Sequence, residues 1–255
     1  MKKLLPLCLA LLAINVPSWA QTKKPPQGSK AAPATHRQSP ELEGLGRFKI
    51  GKTTTAVIGE LCRELNVPLE HAYSVGRLTA ADDSAVVIQV DYELREEYPD
   101  ASSFGAACPD AAVYYVPNYT IAEIPVKGLR LSFYKGLLVE IEAKGEIASS
   151  DAFAVKYGKP EERSQKTAKP CASARTRSVV TYDNETLTST WFNKEITATQ
   201  IISEYRDRNC ERQVMGLLLI LDNQKTKALD ACNTVAEKAR LAKLMDAKKK
   251  KLSDL

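Results

Sequence analysis

The sequence predicts an α+β protein with two similar modules, each a short helix followed by an antiparallel sheet, and then a C-terminal helix. The 255 residues are 44% hydrophobic and 26% charged, as in a globular chain with its own core. Short segments of alternating apolar residues outnumber helical patterns, and helices do not follow each strand as they would in a parallel sheet. We expect either two sheets or one continuous sheet with helices on one face.

The first twenty residues have the pattern of a secretory signal peptide. Lys2 and Lys3 precede an apolar run over 4–14, and small residues lie near a cleavage site predicted between Ala20 and Gln21. The apolar run is shorter than the roughly 20 residues that span a bilayer, and no later segment approaches that length. The sequence therefore predicts an exported protein, periplasmic or secreted, without a transmembrane segment.

Both ends of the mature chain are basic. Residues 21–45 are predicted to be a flexible tether, because they contain four prolines and hardly any large apolar side chain. Residues 21–40 carry four basic and no acidic side chains, and residues 225–255 carry nine basic and four acidic ones, so that the middle of the chain is net acidic. Basic ends favour weak contact with an anionic surface, and simple solvation is the alternative.

Residues 46–147 form the predicted first module. Apolar residues at helical spacing predict a helix over 53–65, and alternation predicts strands over 86–94, 113–116 and 119–126. A hairpin with a turn at Lys135-Gly136 is predicted next. Its two strands are indicated by alternating apolar residues, namely Leu129, Leu131, Phe133, Leu137, Val139 and Ile141.

Residues 148–224 form the predicted second module. A short helix over 150–157 ends at the breaker Gly158-Lys159-Pro160. Four strands are predicted after it, over 179–182, 186–192, 196–205 and 214–221, with turns at Asn184-Glu185 and Asn193-Lys194. We expect five apolar side chains of the two modules to be buried, namely Leu131, Phe133, Val139, Ile141 and Trp191.

The C-terminal segment 225–255 is predicted to be a helix that packs on the second sheet. Its apolar and small residues recur near one face, namely Leu229, Cys232, Ala236, Ala239 and Met245. The lysines at 248–251 suit the negative end of the helix dipole and are expected to project beyond the sheet.

Short motifs in both modules resemble those of a known class of small domains. Val155-Lys156-Tyr157-Gly158-Lys159-Pro160 precedes a strand with Trp191 and a final strand over 217–222, and the first half has Ile50-Gly51-Lys52-Thr53 and Phe133-Tyr134-Lys135-Gly136-Leu137. These motifs resemble the helix-plus-sheet modules of beta-lactamase-inhibitor-like proteins and outer-membrane-assembly lipoproteins, although the chain has no lipobox. The resemblance implies a protein-binding scaffold, and it assigns no site residue.

The cysteines of an exported chain are expected to form disulfides. After Cys8 is removed with the signal, five cysteines remain, and no C-x-x-C spacing indicates a zinc or iron–sulfur site. We predict two disulfides, Cys171–Cys210 and Cys62–Cys108, with Cys232 as the free thiol. Spacing alone leaves other connectivities open.

One segment matches the phosphate-loop pattern G-x-x-x-x-G-K-[ST], from Gly46 to Thr53. In such a loop Lys52 would contact phosphate oxygens and Thr53 would hold magnesium, and Asp222 resembles the acidic residue that ends a magnesium-binding strand. The segment follows a proline-containing tether instead of a buried strand, which disfavours nucleotide binding.

The remaining candidate chemistry is sparse. His36 and His71 are the only histidines, so a multi-histidine metal site is excluded. Carboxylates such as Glu70, beside His71, and Asp91 could serve acid–base catalysis in an exported enzyme, which is the alternative function. The leading hypothesis is a non-catalytic exported protein that binds another protein or a cell-envelope component, with no cofactor, no metal and no nucleic-acid partner.

Overall fold

A computed structural model gives the fold of the chain from Leu42 onwards. It describes residues 42–72, 86–92, 105–145, 151–172, 179–207 and 209–253, with the side chains of 251–253 left out. The predicted signal peptide, its cleavage between Ala20 and Gln21, and residues 21–41 of the predicted tether lie outside the described residues. At the end of the predicted tether, Leu42 and Leu45 are buried in the main core, so the tether does not extend to residue 45.

One nine-stranded sheet organises the described residues, after a small hairpin formed by β1 (Gly44–Leu45) and β2 (Phe48–Lys49). The nine strands are β3 (Leu69–Ala72), β4 (Val87–Val90), β5 (Ala111–Ile121), β6 (Ile124–Tyr134), β7 (Leu137–Lys144), β8 (Glu161–Ala172), β9 (Val179–Phe192), β10 (Ile196–Arg206) and β11 (Arg212–Asp222). Their spatial order is β3-β4-β5-β6-β7-β11-β10-β9-β8. All neighbours are antiparallel except β3 and β4. The predicted α+β class is confirmed, and β7 joins β11 so that the sheet is continuous.

Three helices accompany the sheet: α1 (Ala56–Leu65), α2 (Ala152–Tyr157) and α3 (Lys225–Ser253). In α1 the apolar spacing buries Val57, Ile58 and Leu61 on one side. The helix ends at Asn66, whose left-handed backbone (φ 54°) lets its N–H bond to a carbonyl of the last turn. Helices were expected from the sequence at all three places.

The hairpin turns set the register of the central strands. Lys135 (φ 52°) and Gly136 (φ 77°) both have positive φ, which is the two-residue turn that suits the twist of antiparallel strands. Ala122 (φ 48°) and Glu123 (φ 68°) form a second such turn, with Ile121 paired to Ile124. The single strand predicted over 119–126 is therefore wrong, because apolar residues continue on both sides of this turn.

The outer strands are longer than the sequence predicts. Asn184 and Glu185 were expected to form a turn, yet they lie within β9, where Asn184 is opposite Thr167 of β8 and Glu185 is opposite Lys166. Pairing with β8, and with β10 at Glu185, keeps this segment extended. The turn at Asn193 is confirmed, since its Oδ1 accepts the N–H groups of residues 195 and 196 at 2.9 and 2.7 Å.

The main core lies on the sheet face that carries α1 and α2. The large side chains buried there include Phe48, Leu61, Phe133, Phe153 and Trp191. The ring of Phe153 meets Trp191 edge-on at a centroid distance of 5.0 Å, and the Trp191 indole N–H donates to the carbonyl of residue 158 at 2.7 Å. These contacts tie α2 to the second half of the sheet.

A β-bulge changes the predicted facing of β7. Ser132 is paired with Glu140 and Phe133 with Leu138, so Val139 is an extra residue on its strand. The five side chains expected to be buried are buried, but the bulge turns Val139 to the opposite face and places Leu138 in the main core instead.

Helix α3 packs on that opposite face, over the first half of the chain. Leu229, 4% exposed, contacts Val139 and Cys108, and the Arg240 guanidinium lies 4.6 Å from the centre of the Tyr92 ring. The prediction that α3 packs on the second sheet is therefore corrected, because its buried Leu229 packs on Val139 of β7 and its Cys232 is bonded to Cys108, both in the predicted first module. The distal part of the helix is exposed.

Two disulfides link the described residues. One joins Cys171 to Cys210, as the sequence predicts, and the other joins Cys108 to Cys232. Cys62 is the free cysteine, so the predicted Cys62–Cys108 link is corrected. Cys62 packs against the main core, whereas Cys108 packs with Leu229 on the other face, and the sheet separates the two.

Disulfides are retained in oxidising compartments, so the two links indicate an extracytoplasmic protein. None of the helices among the described residues is both long and apolar enough to cross a bilayer.

Candidate functional site

A group of charged side chains lies on the sheet face opposite the main core. The Arg130 guanidinium on β6 is 3.3 Å from a Glu140 carboxylate oxygen and 3.5 Å from one of Glu142. The Lys144 ammonium is 3.2 Å from the other Glu142 oxygen. Arg130 and Glu142 are cross-strand partners, and Glu140, Glu142 and Lys144 alternate along β7, so all four point the same way. We call these four residues the charged cluster.

The charged cluster is partly withdrawn from water, except for Lys144, whose side chain is 49% exposed. The Glu140 side chain is 16% exposed, and this burial raises the pKa of its carboxyl, while the Arg130 charge opposes that rise. The carboxylates of Glu142 and of Asp230 on α3 raise the pKa of Glu140 further. The Arg130 Nε atom is buried and has no hydrogen-bond partner among the described residues. Such polar groups cost stability, so the cluster is not explained by core packing.

A row of leucines borders the charged cluster on β11. Leu217 is directly opposite Lys144, Leu219 is opposite Glu142, and the next leucine is opposite Glu140. Cross-strand partners lie on the same face, so the leucines and the charges form one surface. Leu217, Leu219 and Leu221 are half-buried, unlike Leu218 of the main core. We call this row the leucine row.

Strands β10 and β9 extend this surface with small and β-branched side chains. Ile201 is opposite Leu217, and Thr199 is opposite Leu219. Thr190 of β9 follows as the partner of Thr199. We define the open face as the charged cluster, the leucine row and these three residues of β9 and β10. It combines apolar and threonine side chains with partly buried ion pairs.

The chemistry of the open face suits binding more than catalysis. Its carboxylates are paired with cations, and its apolar residues are arranged in a row instead of around a pocket. Among the described residues, no group of three or more His, Cys, Asp or Glu side chains is placed to hold a metal ion. Interfaces between proteins combine an apolar centre with a polar rim.

The structure places His71 beside Asp91, whereas the sequence analysis considered Glu70 as its neighbour. The His71 ring nitrogen Nδ1 lies 3.0 Å from a carboxylate oxygen of Asp91, which follows β4. Glu70 is the neighbour of His71 on β3, so their side chains point to opposite faces of the strand. The described residues place no serine or cysteine nucleophile beside this pair, and an enzymatic use of Asp91 stays a prediction.

The segment that matches the phosphate-loop pattern cannot cradle phosphate in this fold. The backbone N–H groups of residues 49–53 all bond within the protein: Lys49 to the Thr53 hydroxyl, and the next four to the carbonyls of 43, 138, 49 and 49. A phosphate loop needs such groups free to face its ligand. Lys52 is 72% exposed and lies 3.7 Å from Glu43.

Asp222 has a structural role. Its Oδ1 atom accepts the N–H groups of Gln224 and Lys225 at 3.0 and 2.8 Å, which caps the first turn of α3. Its other oxygen lies 3.4 Å from the Lys225 ammonium. The resemblance of this strand end to a magnesium-binding strand is therefore explained by helix capping.

In comparisons with known proteins, no family model, no curated protein and no solved structure matches the chain. The resemblance to beta-lactamase-inhibitor-like and outer-membrane-assembly modules therefore stays a prediction.

Sequence reasoning singled out none of the charged cluster, although a signal was present. In the hairpin the polar positions between the apolar ones are Arg130 and Ser132 on one strand and Glu140 and Glu142 on the other. Opposite charges at alternating positions of paired strands predict cross-strand ion pairs. The β-bulge at Val139 shifts the register of β7, so simple alternation does not predict which residues of the two strands are paired.

Proposed function

We propose that this protein is a non-catalytic binding protein of the periplasm or the extracellular space, which holds another protein against its open face. The observation that carries the proposal is the leucine row lying directly beside the charged cluster. The row offers apolar area to a partner, and Glu142 and the exposed Lys144 offer charges at its border. Interfaces between proteins combine an apolar centre with a polar rim in this way.

The framework of the open face supports this proposal. The central strands are held by the main core on their other side, so the face is presented on a rigid support. A pre-formed surface loses little conformational freedom when a partner binds, which favours affinity. The disulfide Cys108–Cys232 fixes α3 beside the charged cluster, where Asp230 adds its charge.

The proposal is tested by photo-crosslinking from single positions. A photoreactive amino acid at Leu219 is expected to give a defined adduct with one extracytoplasmic protein in intact cells. The same amino acid at Val155, which is 85% exposed on α2 on the other face, serves as the matched control.

The adduct must also depend on the chemistry of the open face. In a second experiment the photoreactive amino acid replaces Thr199. The additional substitution Leu217→Glu is then expected to abolish the adduct, whereas Val155→Glu leaves it unchanged. Equal adducts from the positions 219 and 155, or an adduct that survives Leu217→Glu in a folded protein, would contradict a partner on the open face.

The exposed end of α3 favours a second, weaker contact with anionic envelope polymers. Lys243 and the lysines at 248–250 are exposed, and Asp246 is the acidic residue among them. Exposed charges are screened within about 8 Å at physiological salt. Binding to an anionic polymer is therefore expected to fall with added salt, and Lys243→Glu should weaken it. Salt-independent binding would refute this contact.

A further inference from the structure

Strand β8 is an exposed sheet edge. Among the described residues it pairs with β9 alone, and every residue from 161 to 170 is exposed. The outer N–H and C=O groups of such a strand are ready to pair with another strand. Proteins usually shorten or cover such edges, or protect them with charges and proline; β8 carries charges and Pro170, but it is 12 residues long and no strand covers it among the described residues.

The charges on β8 are divided by sign along the strand. Glu161 and Glu162 lie at its start, and Arg163, Lys166 and Lys169 follow with no further acid. In an antiparallel pair of two such strands, the acidic start of each copy lies beside the basic end of the other.

We propose that β8 pairs antiparallel with β8 of a second copy of this chain, which makes one continuous sheet across a two-fold axis. The axis passes at Gln165, so that Glu161 of each copy lies opposite Lys169 of the other. Closed two-fold pairing of the same surface is the commonest form of association between identical chains. Addition of a strand at a sheet edge is an established mode of recognition.

Pro170 and Lys166 favour this register. A proline has no N–H to donate, and in sheets it is placed with its nitrogen toward the open edge. If the Pro170 nitrogen faces the open edge, the backbone N–H and C=O groups of the other even-numbered residues of β8 face that edge as well. The hydrogen bonds to the second copy then form between even-numbered residues of the two strands. Lys166 is 3.4 Å from Glu185 within its own chain, and the two-fold register places Lys169, and not Lys166, opposite Glu161 of the second copy.

A disulfide holds the edge strand in the required form. Cys171, at the end of β8, is bonded to Cys210 beyond β10, which anchors β8 across the intervening β9. A strand that is already fixed loses little freedom on pairing. The open face lies on the surface of the sheet and not at this edge, so the pairing neither needs nor blocks the proposed function.

Solution mass and charge reversal test the pairing. The mature protein is expected to be a dimer that dissociates on dilution from about 100 μM to about 1 μM. Lys169→Glu replaces two attractive pairs by two repulsive ones and is expected to weaken the dimer about tenfold. Glu161→Lys should weaken it similarly, and the double variant with both reversals should restore it. Lys194→Glu, in the exposed turn after β9, is the matched control and should change nothing.

Cysteine crosslinking tests the register. In a Cys62→Ala background, Gln165→Cys is expected to form a disulfide between two copies, because residues facing each other at a two-fold axis have Cα atoms about 4.5 Å apart. Ser164→Cys points to the other face and should not crosslink. A monomer at all concentrations, a dimer insensitive to both reversals, or equal crosslinking from 164 and 165 would each overturn the proposal.

Discussion

The two ends of the nine-stranded sheet are stabilised by different forces. In the hub, formed by β4–β7 with α1 and α2, side chains such as Leu131 and Phe133 are completely or almost completely buried. In the wing, formed by β8 and the outer parts of β9–β11 (179–187, 201–206 and 212–217), no side chain is fully buried. One sheet therefore includes a region built around a core and a region without one.

The wing shows what holds a sheet together when apolar burial is absent. Its strands keep an unbroken antiparallel register from Glu161 to Ala172 on β8. Exposed ion pairs such as Lys166–Glu185 contribute little, about 0.2–1 kcal/mol in typical cases. The backbone ladder and the disulfide Cys171–Cys210 must therefore supply most of the order. A surface that needs no core is free to use its side chains for binding.

The largest expected effect comes from the disulfides. Replacing Cys108 and Cys232 by alanine opens a loop of 124 residues and should cost up to about 5 kcal/mol of unfolding free energy. Replacing Cys171 and Cys210 removes a link between residues that are 39 positions apart, and the unfolding free energy is expected to fall by up to about 4 kcal/mol. Urea unfolding measures both.

Hydrogen exchange separates the two disulfides by region. Loss of Cys171–Cys210 is expected to speed amide exchange in the wing and to leave β6 and β7 protected. If loss of this link exposed the hub amides as much as the wing amides, the two regions would unfold as one unit and the comparison would fail.

A core substitution comes next in size. Phe133→Ala should cost about 3–5 kcal/mol, since the ring is buried and meets Tyr114 edge-on. Val214→Ala in the wing, where the side chain is 57% exposed, should change stability by less than about 0.5 kcal/mol. Similar losses from both substitutions, measured by urea unfolding, would show that the wing has a core of its own.

A smaller effect is expected from a hydrogen bond in the hub. The Tyr157 hydroxyl donates to the carbonyl of Gly44 at 2.9 Å and is buried. Tyr157→Phe leaves that carbonyl without this donor and should cost about 1 kcal/mol. Tyr205→Phe, at an exposed position in the wing, is the control and should have no measurable effect. A Tyr157→Phe protein as stable as wild type would show that water replaces the bond.

The smallest expected effect is the pH dependence that Glu140 gives to the unfolding free energy. Burial raises the pKa of Glu140 in the folded protein, so the carboxyl favours folding at acid pH, and that contribution is lost as pH rises through the folded pKa. The Glu140→Gln variant has no carboxyl at this position, so its stability does not fall with this titration. Its stability relative to wild type is therefore expected to improve as pH rises above the ordinary carboxyl range.

The control for this titration is Glu123→Gln, in the exposed turn after β5. Its unfolding free energy should follow that of wild type at every pH. A constant difference between Glu140→Gln and wild type across the range would refute the buried-carboxyl interpretation.

The hub was far more predictable from sequence than the wing. Alternating apolar residues mark a strand only where one face is buried, as around Leu131 and Phe133. Strand β8 reads Glu-Glu-Arg-Ser-Gln-Lys-Thr-Ala-Lys-Pro-Cys-Ala, without such alternation, and was missed. For the same reason Asn184-Glu185 was interpreted as a turn, because local preference cannot show that strands lie on both sides.

The open face was missed because it depends on long-range pairing. Leu219 comes to lie beside Glu142 only when β11 adds to β7, a pairing that no local pattern specifies. The Cys108–Cys232 link was missed for a similar reason, since it depends on the face that the bulged Val139 presents to α3. The two-residue turn at Lys135-Gly136 was predicted, whereas the similar turn at Ala122-Glu123 and the residues placed by the order of the strands were not.

The nesting of the two disulfides has a consequence for biogenesis. The Cys171–Cys210 link lies entirely inside the segment closed by Cys108–Cys232. A chain that enters an oxidising compartment with its N-terminus first exposes its cysteines in the order Cys62, Cys108, Cys171, Cys210, Cys232. An oxidase that joins neighbouring thiols as they emerge would make Cys171–Cys210 correctly and would trap Cys108 with Cys62.

Formation of the Cys108–Cys232 disulfide therefore requires Cys108 either to stay reduced until Cys232 of α3 is present or to be released from a disulfide with another cysteine. Thiol–disulfide exchange can release it, because a free thiolate attacks the existing bond and takes its place. Cys62 is only half-buried in the folded protein and survives there as the leftover thiol. Production of this protein should accordingly depend on a disulfide isomerase, and Cys62→Ala should remove that dependence.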